Sequence, residues 1–365
     1  MLKKITLIIP THNRHRYLTR ILNYYEDLGM NILIADSSKN KYPNVFKYDV
    51  EYNHYPNYGF FKKMNDIVQL INTPFAFMCA DDDFIIPSAI EKSIDFLEKY
   101  SDFASVQGYY ASFINTYNKI YFFNTYPSLK NYVINANTPE KRVKYHMSKY
   151  MQLFYSIHRI NNLKNTFSLT PITNLNLIEI ALGLISVING KHKMLPIMYS
   201  IRETIPGSAS STTARLDSII KDINMKKEYE QFIDSLARYF SEKSSYNLND
   251  SKKIILDATN RFINVHLPAF SGSGIVTHTI FQRINHELIE LIKPIIPGIY
   301  NKLIFKHRKP QYNYSSSKYR KELKQTQKLI LKHSKESYLI IKRIKELNKL
   351  FCSFILKALR GFKIP

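Results

Sequence analysis

The alternation of strand and helix over the first ninety or so residues constrains this chain more than any other feature. Ile5-Thr6-Leu7-Ile8-Ile9-Pro10 is an apolar, β-branched run, stopped by Pro10 and followed by the polar set Thr11-His12-Asn13-Arg14. Such a run reads as a buried strand feeding a loop, and Pro10 and Arg14 make it too short for a secretory leader. Leu18, Ile21, Leu22, Tyr25 and Leu28 fall at helical spacing within Tyr17 to Leu28, and Gly29 ends that helix. A second strand, Asn31 to Ala35, runs into Asp36-Ser37-Ser38; a short extended piece spans Val50 to Tyr55. A second helix spans Phe61 to Ile71 and is broken by Thr73-Pro74. This order predicts an α/β fold with a mostly parallel sheet flanked by helices. In such sheets ligands sit beyond the carboxyl ends of the strands, and Thr11, Asp36 and Asp81 to Asp83 all fall there.

The last strand end is the most unusual. Phe75-Ala76-Phe77-Met78-Cys79-Ala80 is followed by Asp81-Asp82-Asp83 in a chain whose formal net charge is +23. Adjacent carboxylates repel, and burial raises their pKa. A hard divalent cation such as Mg²⁺ or Mn²⁺ relieves both problems, since it prefers carboxylate oxygens and often shares a diphosphate with the protein. The plainer alternative is a solvated turn whose Asp83 or Ser88 caps the following helix.

Four ordered segments carry a resemblance. Ile8-Ile9-Pro10-Thr11-His12-Asn13-Arg14, Ile34-Ala35-Asp36-Ser37-Ser38, Asn57-x-Gly59 with Asn65, and Ala80-Asp81-Asp82-Asp83-x-x-x-Pro87 resemble, in order, the motifs of family 2 glycosyltransferases of the GT-A fold. A glycine-rich dinucleotide turn does not follow the first strand. The resemblance implies that Thr11, Asn13 and Asp36 contact the nucleotide of a nucleotide-sugar donor. It implies that Asn57 and Gly59 shape its pocket, with Gly59 allowing close backbone approach. Lys62 and Lys63 lie near the diphosphate or on a solvated helix face. Counted back from Pro87, the register implies Asp82 as metal ligand, Asp83 as second choice, and Asp81 as a ribose or metal contact; the register Asp81-x-Asp83 stays open. Mn²⁺ or Mg²⁺ would neutralise the leaving diphosphate.

An inverting transfer also needs a general base on the acceptor side. In the family this acid heads a helix downstream. Glu179 is the only acid between Lys141 and Tyr199, and it precedes an apolar run, Ile180 to Ile188, that ends at Gly190. A lone acid there also complements a helix dipole. Phe154 to Arg159 and Gly190 to Pro196 are similar to segments flanking the acceptor region in a bacterial subgroup, which implies that His158 and Arg159 line the acceptor pocket; a strand with a polar edge is the alternative. The Gly-, Ser- and Thr-rich stretch Tyr199 to Ser211 reads as a mobile loop. As a lid it would bring Arg202 to the diphosphate.

The 365 residues suffice for a catalytic domain over 1–222, a helical region over 223–300 and a basic tail over 301–365. Phe232, Ile233, Leu236, Tyr239 and Phe240 form one helical stripe, and Ile254, Ile255, Ala258, Phe262 and Ile263 another. Pro294 to Gly298 marks a break, and Lys306 to Lys318 a linker. The tail holds 18 Lys and Arg against 3 Glu, a net +15. Ile340, Ile344, Leu347, Phe351 and Phe354 line one face of a helix in it, with Lys342, Arg343, Lys345, Lys349 and Lys357 on the others. A basic amphipathic helix reads as a membrane-surface element, where each basic residue contributes about 1 kcal/mol; packing on the catalytic domain or a second subunit is the alternative. No signature of a nucleic-acid-binding fold accompanies it. No apolar run spans a bilayer, and the two cysteines, Cys79 and Cys352, suggest neither a disulfide framework nor a zinc site.

The expectation is therefore an inverting, metal-dependent glycosyltransferase of GT-A type with a helical C-terminal region. Its partners would be a nucleotide-sugar donor, with UDP expected, and a surface-glycan or lipid-linked acceptor. It would be cytoplasmic and peripheral at the inner face of the membrane. The alternatives are a nucleotidyltransferase using the same carboxylates, and a degenerate GT-A domain serving as a membrane-associated assembly partner.

Overall fold

The computed structural model describes residues 2–116, 119–124, 132–203 and 223–274, with the isolated residues 324 and 328. Strands β1 (Ile5–Thr11), β2 (Asn31–Asp36), β3 (Glu51–His54) and β4 (Phe75–Met78) lie side by side in the order β3-β2-β1-β4, all parallel. Helix α1 (His15–Tyr25) links β1 to β2, and α2 (Phe60–Gln69) links β3 to β4. Beyond β5 (Phe84–Ile85), α3 (Pro87–Lys99) leads into the long β6 (Phe103–Thr116), which pairs with β7 (Lys119–Asn124). After β8 (Val133–Ile134) and α4 (Pro139–Ser148), β9 (Ile157–Arg159) inserts antiparallel between β4 and β6. Helices α5 (Ile160–Phe167) and α6 (Leu175–Asn189) follow, and β10 (Lys191–Glu203) returns parallel to β6. The result is a 10-stranded, mostly parallel sheet flanked by helices, with α7 (Ile223–Glu242) and α8 (Leu248–Gly274) after it. The α/β expectation is thus what the structure shows.

Strand alternation splits the core into two layers. Leu7, Ile9, Ile34 and Phe77 point to the face covered by α1 and α3. Ile8, Leu33, Ala35 and Met78 point to the face covered by α2, α5 and α6. The apolar stripes of α7 and α8 join this second layer: Phe232, Ile233, Leu236 and Phe240 are buried there with Ile254, Ile255, Ala258 and Phe262.

Helix boundaries differ from the sequence expectation by two residues or fewer in α2 and at the start of α1, and by more at two places. α1 ends at Tyr25 and gives way to a 3-10 turn, Glu26–Leu28, before Gly29 takes φ 60. α6 starts at Leu175 rather than Ile180, because the Asn174 side chain accepts the free N–H groups of Asn176 and Leu177. Glu179 therefore sits in the second turn of α6, on a helix whose remaining residues are almost all buried and apolar. The loop expected from Tyr199 begins later, because Ser200 to Glu203 pair with β6 as the end of β10; Thr204 to Ser211, the break at Pro294 to Gly298, the linker, Cys352 and the tail 301–365 apart from residues 324 and 328 lie outside the described residues. Among the described residues no helix is long and apolar enough to cross a membrane.

Candidate active site

Register brings the first strand ends together. Thr11 and Asp36 are the last paired residues of β1 and β2, and Cys79 continues from β4 by donating its N–H to Ile8 O at 3.0 Å. The polar residues after each strand then interlock. Asn13, held at φ 54, donates its N–H to Ser38 Oγ at 2.6 Å and accepts from Lys39 N–H. Asp36 is fully buried. Its oxygens accept from Ser38 N–H and the Tyr52 hydroxyl, both at 2.7 Å, and lie 3.3 Å from His15 Nε2. Burial pushes its pKa up, but hydrogen bonds from Ser38 and Tyr52 outweigh that and hold it below the ordinary Asp value. Lys63 is not on a solvated face: its Nζ is buried under the site and donates to Thr11 O at 2.7 Å and Ser37 Oγ at 3.0 Å. Burial lowers its pKa to about 8. Lys62 lies over the Tyr58 ring at 3.9 Å.

Tyr58 N–H closes a turn on Tyr55 O at 3.1 Å, with Pro56 at the second position and Asn57, at φ 66, at the third. A positive φ at the third position marks a type II turn, which asparagine tolerates. Gly59 has an ordinary φ of −64 and precedes α2 as its N-cap, with open space around its α-carbon. The left-handed backbone position is thus Asn57, and no neighbouring atom of the protein requires Gly59 to be glycine.

The acidic triplet forms a turn closed by Asp83 N–H on Ala80 O at 3.1 Å. All three aspartates are buried, which removes the solvated-turn alternative. Helix α3 has Ile86 as its N-cap, with no side-chain cap, so neither Asp83 nor Ser88 fills that role. Asp81 Oδ2 accepts from the Thr11 hydroxyl at 2.6 Å, and Asp81 Oδ1 lies 3.1 Å from Arg14 Nη1. Asp82 Oδ2 accepts from Arg14 Nη2 at 2.6 Å, and its backbone oxygen accepts from Arg20 Nη2 at 2.9 Å. Asp83 turns inward, accepting from the Tyr155 hydroxyl at 2.7 Å and from Glu203 N–H at 2.8 Å. Burial outweighs these partners, raising Asp81 to about 6 and Asp83 to about 7.

Glu179 is linked to this cluster by the charge of Arg202. Arg202 Nη1 donates to Gln152 Oε1 at 2.7 Å, and its guanidinium lies 4.3 Å from the Tyr155 ring and 5.0 Å from that of Tyr110. Its charge acts on Asp83 on one side and on Glu179 on the other. Glu179 Oε1 accepts from the Tyr150 hydroxyl at 2.7 Å, and the Tyr150 ring packs edge-on against Phe262 of α8 at 4.6 Å. Burial raises the Glu179 pKa, offset in part by Tyr150, Arg202 and Gln152.

His158 and Arg159 are not brought to the cluster. His158 is fully buried within the sheet, opposite Ala76 and Ser105, and pairs with Leu153 O at 2.9 Å. Arg159 lies beside Phe75, at the start of β4 and so at the opposite end from the triplet, where it donates to Phe103 O, Leu97 O and Tyr100 O. The acceptor-pocket expectation for this pair is corrected: antiparallel β9 carries Arg159 away from the strand ends that hold the aspartates. Arg14, Arg20, Tyr150 and Tyr155 were missed as site residues. Arg14 closes the first polar set and Tyr155 lies in the segment Phe154 to Arg159, so both positions carried a usable signal; nothing in the sequence marks Tyr150.

A divalent cation fits this donor set poorly. The seat between Asp81 and Asp82 is taken by the Arg14 guanidinium, and both Asp83 oxygens are engaged inward. Among the described residues no group of three His, Cys, Asp or Glu side chains is arranged to hold a metal ion.

No family model matches the chain, and no curated protein matches it. Among solved structures it is similar to S. aureus TarS 1–349 in complex with UDP-GlcNAc, with a TM-score of 0.49 and 12% identity over 82% of this chain and 81% of that chain. It is also similar to S. aureus TarS 1–349 in complex with UDP, with a TM-score of 0.46 and 12% identity over 83% of this chain and 87% of that chain. For S. aureus TarS itself the TM-score is 0.45 and the identity 14%, over 85% of this chain and 55% of that chain.

Proposed function

We propose that this chain is an inverting GT-A glycosyltransferase that moves a sugar from a nucleoside-diphosphate donor, a UDP-sugar in the first instance, to a hydroxyl of a glycan or lipid-linked acceptor. One observation carries the reading. The polar ends of β1, β2 and β4 lie together in the sheet, and the charge of one arginine, Arg202, acts both on Asp83 after β4 and on the isolated acid Glu179. A nucleotide seat electrostatically linked to one general base suits a displacement at the anomeric carbon. Glu179 takes the proton of the acceptor hydroxyl as its oxygen bonds to the anomeric carbon. The bond from that carbon to the diphosphate oxygen breaks, and the diphosphate leaves with the electron pair. The raised pKa of Glu179 makes it a stronger base at neutral pH. Hydrogen bonds from Tyr150 and Gln152 hold its carboxylate in place, and the charge of Arg202 favours its ionised form. The net +15 of residues 301–365 supports a place at an anionic membrane surface.

The test is a panel of UDP-, GDP- and CMP-sugars offered with hydroxyl acceptors, reading nucleotide release and the anomeric configuration of the product. Release with inverted configuration from one donor is expected. A retained configuration would remove Glu179 from the role of sole base, and phosphate-ester products would point to nucleotidyl transfer instead.

A further inference from the structure

The reason to expect a metal was the charge of three adjacent carboxylates, and the fold meets that charge with arginines. Arg14 lies with Nη1 3.1 Å from Asp81 Oδ1 and Nη2 2.6 Å from Asp82 Oδ2. Its guanidinium also lies over the Tyr17 ring at 4.4 Å. Arg20 is buried between Asp82 O at 2.9 Å and Glu203 Oε2 at 2.7 Å, and the charge of Arg202 acts on Asp83. Five of the six carboxylate oxygens in the triplet are thereby engaged: by Thr11, Arg14 twice, Tyr155 and Glu203 N–H. A Mg²⁺ or Mn²⁺ ion needs several oxygen ligands at about 2.0–2.2 Å, so an ion bridging Asp81 and Asp82 would first have to displace Arg14. Arg14 keeps 27% of its side chain exposed. It is clamped on one edge by two carboxylates and on one face by an aromatic ring, its Nε is buried without a partner, and each Nη keeps a second N–H beyond the one given to a carboxylate. A guanidinium fork matches phosphate oxygens in a way a lysine ammonium does not.

We propose that Arg14, held by Asp81 and Asp82 against Tyr17, takes the place of a divalent cation: it binds the donor diphosphate directly, so that donor binding needs neither Mn²⁺ nor Mg²⁺. Asp81 and Asp82 then act as positioning residues for an arginine rather than as metal ligands. The inference rests on the donor-binding reading above.

The experiment is calorimetric titration of the full chain with UDP, GDP and CMP, once in EDTA and once in excess Mn²⁺. The expected result is one nucleotide binding with the same Kd, within about twofold, in both buffers. Arg14→Ala should weaken binding at least about tenfold in both, the loss typical of a charge-assisted hydrogen bond, and Arg14→Lys should restore only part of it. Thermal unfolding of both variants checks that they fold, and the electron-spin-resonance signal of Mn²⁺ should be no smaller with protein and nucleotide than with nucleotide alone. Binding that appears only with Mn²⁺, or tightens tenfold with it, would overturn the inference and leave the donor reading standing. Unchanged affinity in a folded Arg14→Ala would also overturn it. If no nucleotide binds in either buffer, the donor reading fails, and this inference fails with it.

Discussion

The two sides of the proposed site are built by different means. The donor side is made of neighbours: three adjacent parallel strands end together, and their loops are tied by short polar links such as Asn13 to Ser38, Lys63 to Thr11 and Thr11 to Asp81. The base side is made of strangers. Glu179 rides on an apolar helix, its partner Tyr150 comes from the connection between α4 and β9, and Tyr150 is backed by Phe262 of the helical region. The first wall depends on the pairing of adjacent strands in one sheet, whereas the second also depends on a helix, α8, that lies outside the sheet.

The sharpest test of that difference is Glu179→Gln. Loss of a general base is expected to cost about 10²–10⁴-fold in transfer rate, while calorimetric UDP affinity stays unchanged because the donor side is separate. A parallel loss of UDP affinity would show that the two walls are one unit. Phe262→Ala is expected next in size. It removes a buried ring from the layer shared by α8 and the sheet, at a cost of about 3–5 kcal/mol in urea unfolding. It should also lower turnover more than UDP affinity; an equal loss of both would place Phe262 under the donor wall too.

Asp83 stands where the walls meet, and its linkage has a definite sign. Its folded pKa is raised to about 7, above the roughly 3.9 of an unfolded Asp. The folded state keeps a proton there that the unfolded state has lost, so this contribution to stability is full below about pH 4 and disappears as pH rises through about 7. Melting temperature should therefore fall across that window in the parent chain and fall less in Asp83→Asn. The smallest effect is expected from Tyr150→Phe. The lost hydrogen bond favours the charged carboxylate, so the Glu179 pKa rises further and the acid limb of the pH–rate profile moves up by about one unit or less. A shift in the opposite direction would mean that Tyr150 does not steady the carboxylate.

Legibility in the sequence follows the same division. The strand ends were readable because apolar runs, Pro10, Gly29 and Thr73-Pro74 punctuate the chain within a few residues of the events they control. Glu179 was readable by its isolation among apolar residues, although Asn174 started its helix earlier than the apolar run implied. His158 and Arg159 were misread because nothing local tells that β9 runs antiparallel, which turns Arg159 to the far end of the sheet. Arg14 was passed over because its partners, Asp81 and Asp82, lie in a distant part of the chain.

By itself, then, the sequence determined the α/β alternation, the polar strand ends and the isolated acid, since each depends on local propensity and burial periodicity. Only the tertiary structure decided what neutralises the three aspartates, which layer of the core the stripes of α7 and α8 join, and that the charge of Arg202 acts on both Asp83 and Glu179. Charge compensation is a matter of distance in space: a buried carboxylate is satisfied by whichever cation the fold brings within a few ångströms, and sequence separation carries no information about that distance.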